Sequence, residues 1–289
     1  YSNSSMHLYI NEAIYQRFEE TFPRDTDLEN YYFDPGEKVT GLAVTARGQR
    51  FIDEGDVAMT IEEWLIHGGF SGDEPEALMA LRHFYDPIGL DDGKKYLTDL
   101  PPLGEVIPNV HLLEWALEYN GEITKGTTHA DGWSQRFSWE DGKRAMIEAM
   151  NTIDEKERER LMAHAWRSLG ESLHALGDMA CPAHVRNDGH PIGDGDPFED
   201  GIIEKSMIPG SVTQYGDEDL IEYLESQDYI EDLFHEMAAY TNANFFTNQT
   251  VNGMSQAGKL STPGRYFEQY PNPYAQESGN GWLYDTDSY

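Results

Sequence analysis

Residues 154–184 read DEKERERLMAHAWRSLGESLHALGDMACPAH, and the fold turns on this stretch. Charge crowds its first turns, after which apolar side chains recur at Leu161, Leu169, Leu173 and Leu176. That recurrence marks one face of a helix, and it makes 154–180 the longest periodic segment of the chain. Pro182 disfavours helical geometry in the residue before it and ends the segment. Near that end stand His174 and Asp178, four residues apart, so a helix projects both from one face. With the helix stopped at Pro182, His184 can turn back toward the same end.

Outward from there the periodicity stays helical. Toward the N-terminus, Ile10, Ala13, Ile14 and Phe18 share one side of a helix over 8–18. A stretch rich in Gly and Asp follows over 34–56. A short helix over 60–67 takes Thr60 as its cap and stops at Gly68-Gly69. A further helix is expected over 74–84, ended by Asp86-Pro87. Residues 86–108 hold four prolines and read as a long loop. Helices follow near 109–119 and from the Ser138 cap to about Met150, with a loop to about 137 between them. Beyond His184, residues 185–215 are loop-like, and helices return at 217–226 and 229–246. There is no internal repeat, no heptad array and no convincing strand alternation. The expected fold is all-α: one multi-helix domain with long loops over 1–251. Residues 252–289 are expected to form an irregular C-terminal segment, packed on that domain or leading to a further region.

Composition narrows the function. Asp and Glu total 53 against 20 Lys and Arg, a formal charge of −33. Such a surface repels polyanions and anionic lipid headgroups, so nucleic acid is a disfavoured partner. Solubility or adaptation to salty surroundings accounts for the same charge. Aromatic residues make up 12% of the chain, which argues against disorder. The single cysteine, Cys181, excludes an intramolecular disulfide and reads as a small buried residue. No run of 18 apolar residues occurs, so no transmembrane helix is expected. The reading favoured is a secreted or extracytoplasmic protein with Tyr1 as its processed terminus, a cytoplasmic protein being the other.

The chemistry concentrates around His174. Imidazole and carboxylate are the ligand types of catalytic zinc, and Gly177 leaves room beside the pair for metal or a crossing helix. An Asp–His hydrogen bond at a helix end would account for the pair alone. It does not account for His190, Asp194, Asp196 and Glu199, which bring three histidines and several carboxylates into 26 residues. Asp194-Gly195-Asp196 lacks the twelve-residue ligand spacing of a calcium loop. A second cluster joins Asp73-Glu74-Pro75 to His83, and His7 opens the first helix.

Together these pieces resemble the zinc-dependent phospholipase C superfamily, which also contains the fungal and plant single-strand nucleases. The family's helical His-x-x-x-Asp, with another His six residues on, is matched by His174, Asp178 and His184. Its early histidine is matched by His7, and its upstream acid and His-Phe-Tyr-Asp segment by Asp73 and His83. The resemblance covers roughly residues 1–250. It implies a site of two to three zinc ions. One takes Asp73, His83, His174 and Asp178; a second takes His184, His190 and Glu199; a third takes Tyr1, His7 and a bridging Asp178. The family's last ligand pair normally lies on a helix. Here proline and glycines interrupt 190–194, so Glu199 is favoured over Asp194 and Asp196. The family also ligates zinc through the amine of its first residue, usually Trp, where this chain has Tyr1.

The resemblance further implies hydrolysis of a phosphodiester, a phospholipid headgroup being the leading substrate, with Asp73 as ligand and proton acceptor. The alternatives are a single-strand nuclease or nucleotidase of the same superfamily, and a catalytically degenerate secreted zinc-binding module. His67, His111, His129, His164 and His235 have no counterpart in the family and read as structural or surface residues.

Overall fold

In the computed structural model of the chain, the described residues are 6–21, 36–46, 53–74, 79, 82–87, 111–119, 136–187 and 226–244. They are mostly helical. Six α-helices occur among them: α1 (Met6–Thr21), α2 (Ile61–Ser71), α3 (Leu112–Leu117), α4 (Trp139–Asn151), α5 (Glu155–Asp178) and α6 (Ile230–Asn244). Most of the expected helix at 217–226 and the whole tail from 252 lie outside the described residues, as does most of the helix expected at 74–84. The chain divides into two compact units, residues 1–80 with 114–175, and residues 81–113 with 176–289.

The all-α expectation needs one correction. Strands β1 (Val39–Ala46) and β2 (Asp53–Met59) form an antiparallel pair, with Val39 opposite Met59 and Ala43 opposite Gly55. Their alternation is hidden because two of the positions that turn inward, Gly41 and Ala43, are small. Gly41 has no room for a side chain: a Cβ there would lie 2.3 Å from Ala163 Cβ of α5. Val39, Ala43, Trp64, Ala149, Met162 and Ala163 make one buried core around this hairpin. The Trp64 indole donates to the Val39 carbonyl at 3.1 Å, tying α2 to β1.

Helix α2 begins as expected. The Thr60 hydroxyl accepts from Glu63 N, and the Glu63 carboxylate accepts from Thr60 N at 2.8 Å, a reciprocal cap. The cap also explains why the Glu63 carboxyl sits below its usual range, the Thr60 backbone donor being the main cause. Gly68-Gly69 does not stop the helix, which runs on to Ser71. The two residues are glycine because α5 crosses there. A Cβ on Gly68 would lie 2.4 Å from the Arg167 carbonyl, and one on Gly170 would lie 2.2 Å from that of Leu65. Asn11 of α1 seals the same crossing, donating to the carbonyls of Leu65 at 2.9 Å and Gly170 at 3.1 Å. Tyr15, Ile61 and Leu65 pack beside it with Trp166, Leu169 and Leu173.

A buried polar network crosses this unit. Arg167 Nε donates to Glu171 at 2.9 Å and to Ser71 Oγ at 3.2 Å. Its Nη1 donates to the Leu42 carbonyl at 2.7 Å and to Glu54 at 2.9 Å. Ser71 donates to Glu171 at 2.6 Å. One fully buried guanidinium thus holds β1, β2, α5 and the end of α2 in register. The other helices follow the sequence. Ser138 caps α4 by accepting from Asp141 N, and α3 occupies the core of the expected 109–119 segment.

In the second unit, residues 179–187 leave α5 by turns and a 3-10 segment, His184–Arg186. Asn187 follows in left-handed geometry at φ 51°, which asparagine tolerates. Asn242 of α6 donates to the Val185 carbonyl at 2.5 Å, and Arg186 donates to the Asn242 carbonyl. The segment is therefore fastened to α6, where Phe234 and Ala238 are buried.

Candidate metal centre

The first unit gathers His7, Asp73 and His174. Helix α1 brings the His7 ring over that of His174, with centroids 3.7 Å apart and planes 21° off parallel. His174 is fixed from its other side: its Nδ1 lies 2.8 Å from the Gly69 carbonyl. A carbonyl only accepts, so it is Nδ1 that donates. Its Nε2 lies 3.5 Å from Asp73 Oδ1. Such outer hydrogen bonds are how metal-binding imidazoles are oriented. The ring can lie this close to α2 because residue 72 is glycine: a Cβ there would sit 3.1 Å from His174 Cγ. Asp73 follows immediately, in a turn whose amides donate to Phe70 and Ser71. The Arg167 network, through Ser71, anchors that turn.

The second unit gathers His83, Asp178 and His184. Asp178 Oδ2 lies 3.2 Å from His83 Nδ1, and Oδ1 lies 3.5 Å from His184 Nδ1. The three side chains are only 1–6% exposed. The Phe84 ring stacks on His184 with centroids 4.7 Å apart, and Tyr85 N donates to the His184 carbonyl at 3.0 Å. His184 comes back to Asp178 because Cys181 N bonds the Asp178 carbonyl at 2.9 Å and Val185 N bonds that of Cys181. Two consecutive turns reverse the chain there. Cys181 itself is buried.

Donor atoms of His7 and His174, and of Asp73 and His174, lie within 4.8 Å of each other, and these imidazole and carboxylate groups are spatially able to hold a metal ion. The donor set is nitrogen and oxygen, the chemistry of zinc sites, and every member is largely buried. Six of the expected ligands thus occur in two sets, one in each unit. His184, which the resemblance groups with His190 and Glu199, faces Asp178. Tyr1, His190, Asp194, Asp196 and Glu199 lie outside the described residues.

The sequence did not single out the Gly69 carbonyl that orients His174, nor Phe84, which braces His184. The one signal for the first was a Gly-Gly pair inside a helical pattern.

The remaining histidines serve other contacts. His67 Nε2 accepts from Val44 N at 3.1 Å, and His235 Nδ1 shares a 2.7 Å hydrogen bond with the Tyr85 hydroxyl. Burial, with Asp86 nearby, pushes the Tyr85 phenol up to about 12, so it stays protonated. His111 lies beside the same ring, and His129 is outside the described residues.

Compared with models of known families, with curated proteins and with solved structures, the chain matches none. No helix among the described residues is long and apolar enough to cross a membrane.

Proposed function

We propose that the chain is a zinc-dependent phosphodiesterase, acting on a phospholipid headgroup or a related phosphodiester. The observation that carries this reading is Asp178, a carboxylate 1% exposed with each oxygen turned to a different histidine. Burying an ionised carboxylate is costly unless cations or strong donors compensate, and a carboxylate among imidazoles is a metal-ligand set. The order of His7, Asp73, His83, His174, Asp178 and His184 along the chain supports the same family of sites.

Zinc held there would supply Lewis acidity and an activated water at neutral pH. The chain's own residues divide the remaining work. His174 is oriented through Nδ1 by the Gly69 carbonyl, with Nε2 as the ligating nitrogen. Asp178 offers one oxygen toward each of two imidazoles, which suits a carboxylate shared between ions. Asp73 is the most exposed carboxylate of the set, at 15%, and is placed to accept a proton. The charge of −33 favours a cationic or zwitterionic headgroup over polyanionic DNA.

The test is reconstitution with zinc, elemental analysis, and hydrolysis of phosphatidylcholine and p-nitrophenyl phosphocholine beside single-stranded DNA. Two to three ions per chain with choline-ester hydrolysis is the expected result. Fewer than one ion per chain would refute the metal reading. Bound zinc with no hydrolysis would support the degenerate binding module instead.

A further inference from the structure

In the second unit His83 and His184 sit on separate segments, and one side chain of α6 bonds to both segments. Asn242, fully buried, gives Nδ2 to the Val185 carbonyl at 2.5 Å and, more weakly, to Asp86 Oδ1 at 3.4 Å. A carbonyl only accepts, so the amide nitrogen is the atom that faces it. Arg186 closes the link by donating to the backbone carbonyl of Asn242. About two turns earlier on α6, His235 meets the Tyr85 hydroxyl at 2.7 Å.

These ties end close to the two imidazoles that face Asp178. Val185 directly follows His184, and Asp86 belongs to the same short segment as His83. The two segments also meet each other: Tyr85 N donates to the His184 carbonyl at 3.0 Å, and the Phe84 ring stacks on that of His184. Asn242 therefore spans a pairing whose two histidines turn to one carboxylate. Packing alone does not account for an amide here. Its buried Oδ1 takes no hydrogen bond among the described residues, and a buried acceptor left unmet is costly.

We infer that Asn242 is a positioning residue of the metal centre, holding the segments of His83 and His184 together so that both imidazoles keep their place against Asp178. This role rests on the metal reading above and needs no contact with an ion. Partners of this kind orient the ligating groups, and their loss costs about ten- to a hundredfold in metal affinity.

The test compares the full native chain with Asn242→Ala. Zinc affinity is read by competition with a chelator. Ligand geometry is read from the visible spectrum of the cobalt(II)-loaded chain, cobalt accepting the same donors. Asn242→Ala should lose about ten- to a hundredfold in affinity for one ion and shift the cobalt bands. Asn242→Leu, which fills the space without the donor, serves the same comparison should the alanine variant fail to fold. The control is Ala238→Gly, which loosens the same helix at a buried position while leaving the amide in place. Its urea midpoint should fall, with both metal readouts as in the native chain. Native affinity and spectrum in a folded Asn242 variant would overturn the inference and leave the metal reading standing. So would Ala238→Gly shifting both readouts as far as Asn242→Ala. A native chain that binds no zinc would remove the metal reading and this inference with it.

Discussion

Replacing Asp178 by Asn removes one negative charge while nearly preserving shape. In the native chain Oδ2 faces His83 at 3.2 Å and Oδ1 faces His184 at 3.5 Å, in a side chain 1% exposed. Asparagine keeps one acceptor, turns the other position into a donor and removes the charge that both imidazoles face. Interactions with a charged group contribute about 1.5–3 kcal/mol each, and two dications would also lose the charge that offsets their mutual repulsion. Losing about 2.7 kcal/mol of transition-state stabilisation slows a reaction about a hundredfold. Asp178→Asn should therefore lower phosphocholine-ester turnover by at least about two orders of magnitude and remove at least one zinc ion. The assays are p-nitrophenyl phosphocholine hydrolysis and elemental analysis on matched preparations. The control is Glu157→Gln, an exposed acid at the other end of α5, which should change neither. Full zinc and near-native turnover in Asp178→Asn, with losses in Glu157→Gln, would show that the metal face of α5 is wrongly assigned.

Other consequences follow from the packing. Gly68→Ala should cost about 3 kcal/mol, the upper part of the overpacking range, because its Cβ would meet the Arg167 carbonyl at 2.4 Å; a urea midpoint equal to that of the native chain would contradict the close crossing. Burial first, and the Arg167 charge second, hold His164 near pKa 4 against 6.5 when unfolded, so the unfolded chain binds the extra proton between those values. Stability from this group is present above pH 6.5 and is lost as pH falls toward 4, by at most about 3 kcal/mol. Urea unfolding of His164→Gln should be correspondingly flatter over that window, and an unchanged pH profile would refute the account of its burial. Choline-ester hydrolysis should exceed single-strand DNA cleavage at physiological salt, and the reverse order would overturn the substrate reading.

Much of this was legible in residue spacing, and the exceptions have identifiable causes. The long helix showed itself through Leu161, Leu169, Leu173 and Leu176, and the caps through Thr60 and Ser138. The approach of His184 to Asp178 was legible because residues close in sequence depend only on helical geometry and one reversal. The hairpin was hidden because its inward positions include Gly41 and Ala43, made small by α5 passing close behind. Gly68-Gly69 read as a stop since a helix crossing is a tertiary fact, invisible until Gly170 is known to lie opposite. The Arg167 network joins residues more than a hundred positions apart, such as Leu42 and Arg167, and local pattern carries no trace of it.

The central claim is that the end of α5 holds zinc, and anomalous scattering at the zinc edge tests it most directly. Crystals of the zinc-reconstituted chain should show two to three anomalous peaks. One should lie about 2.0–2.2 Å from His174 Nε2, and a carboxylate oxygen of Asp178 should be at the same distance from at least one. Peaks confined to surface histidines, with His174 and Asp178 bonded only to protein, would contradict the account.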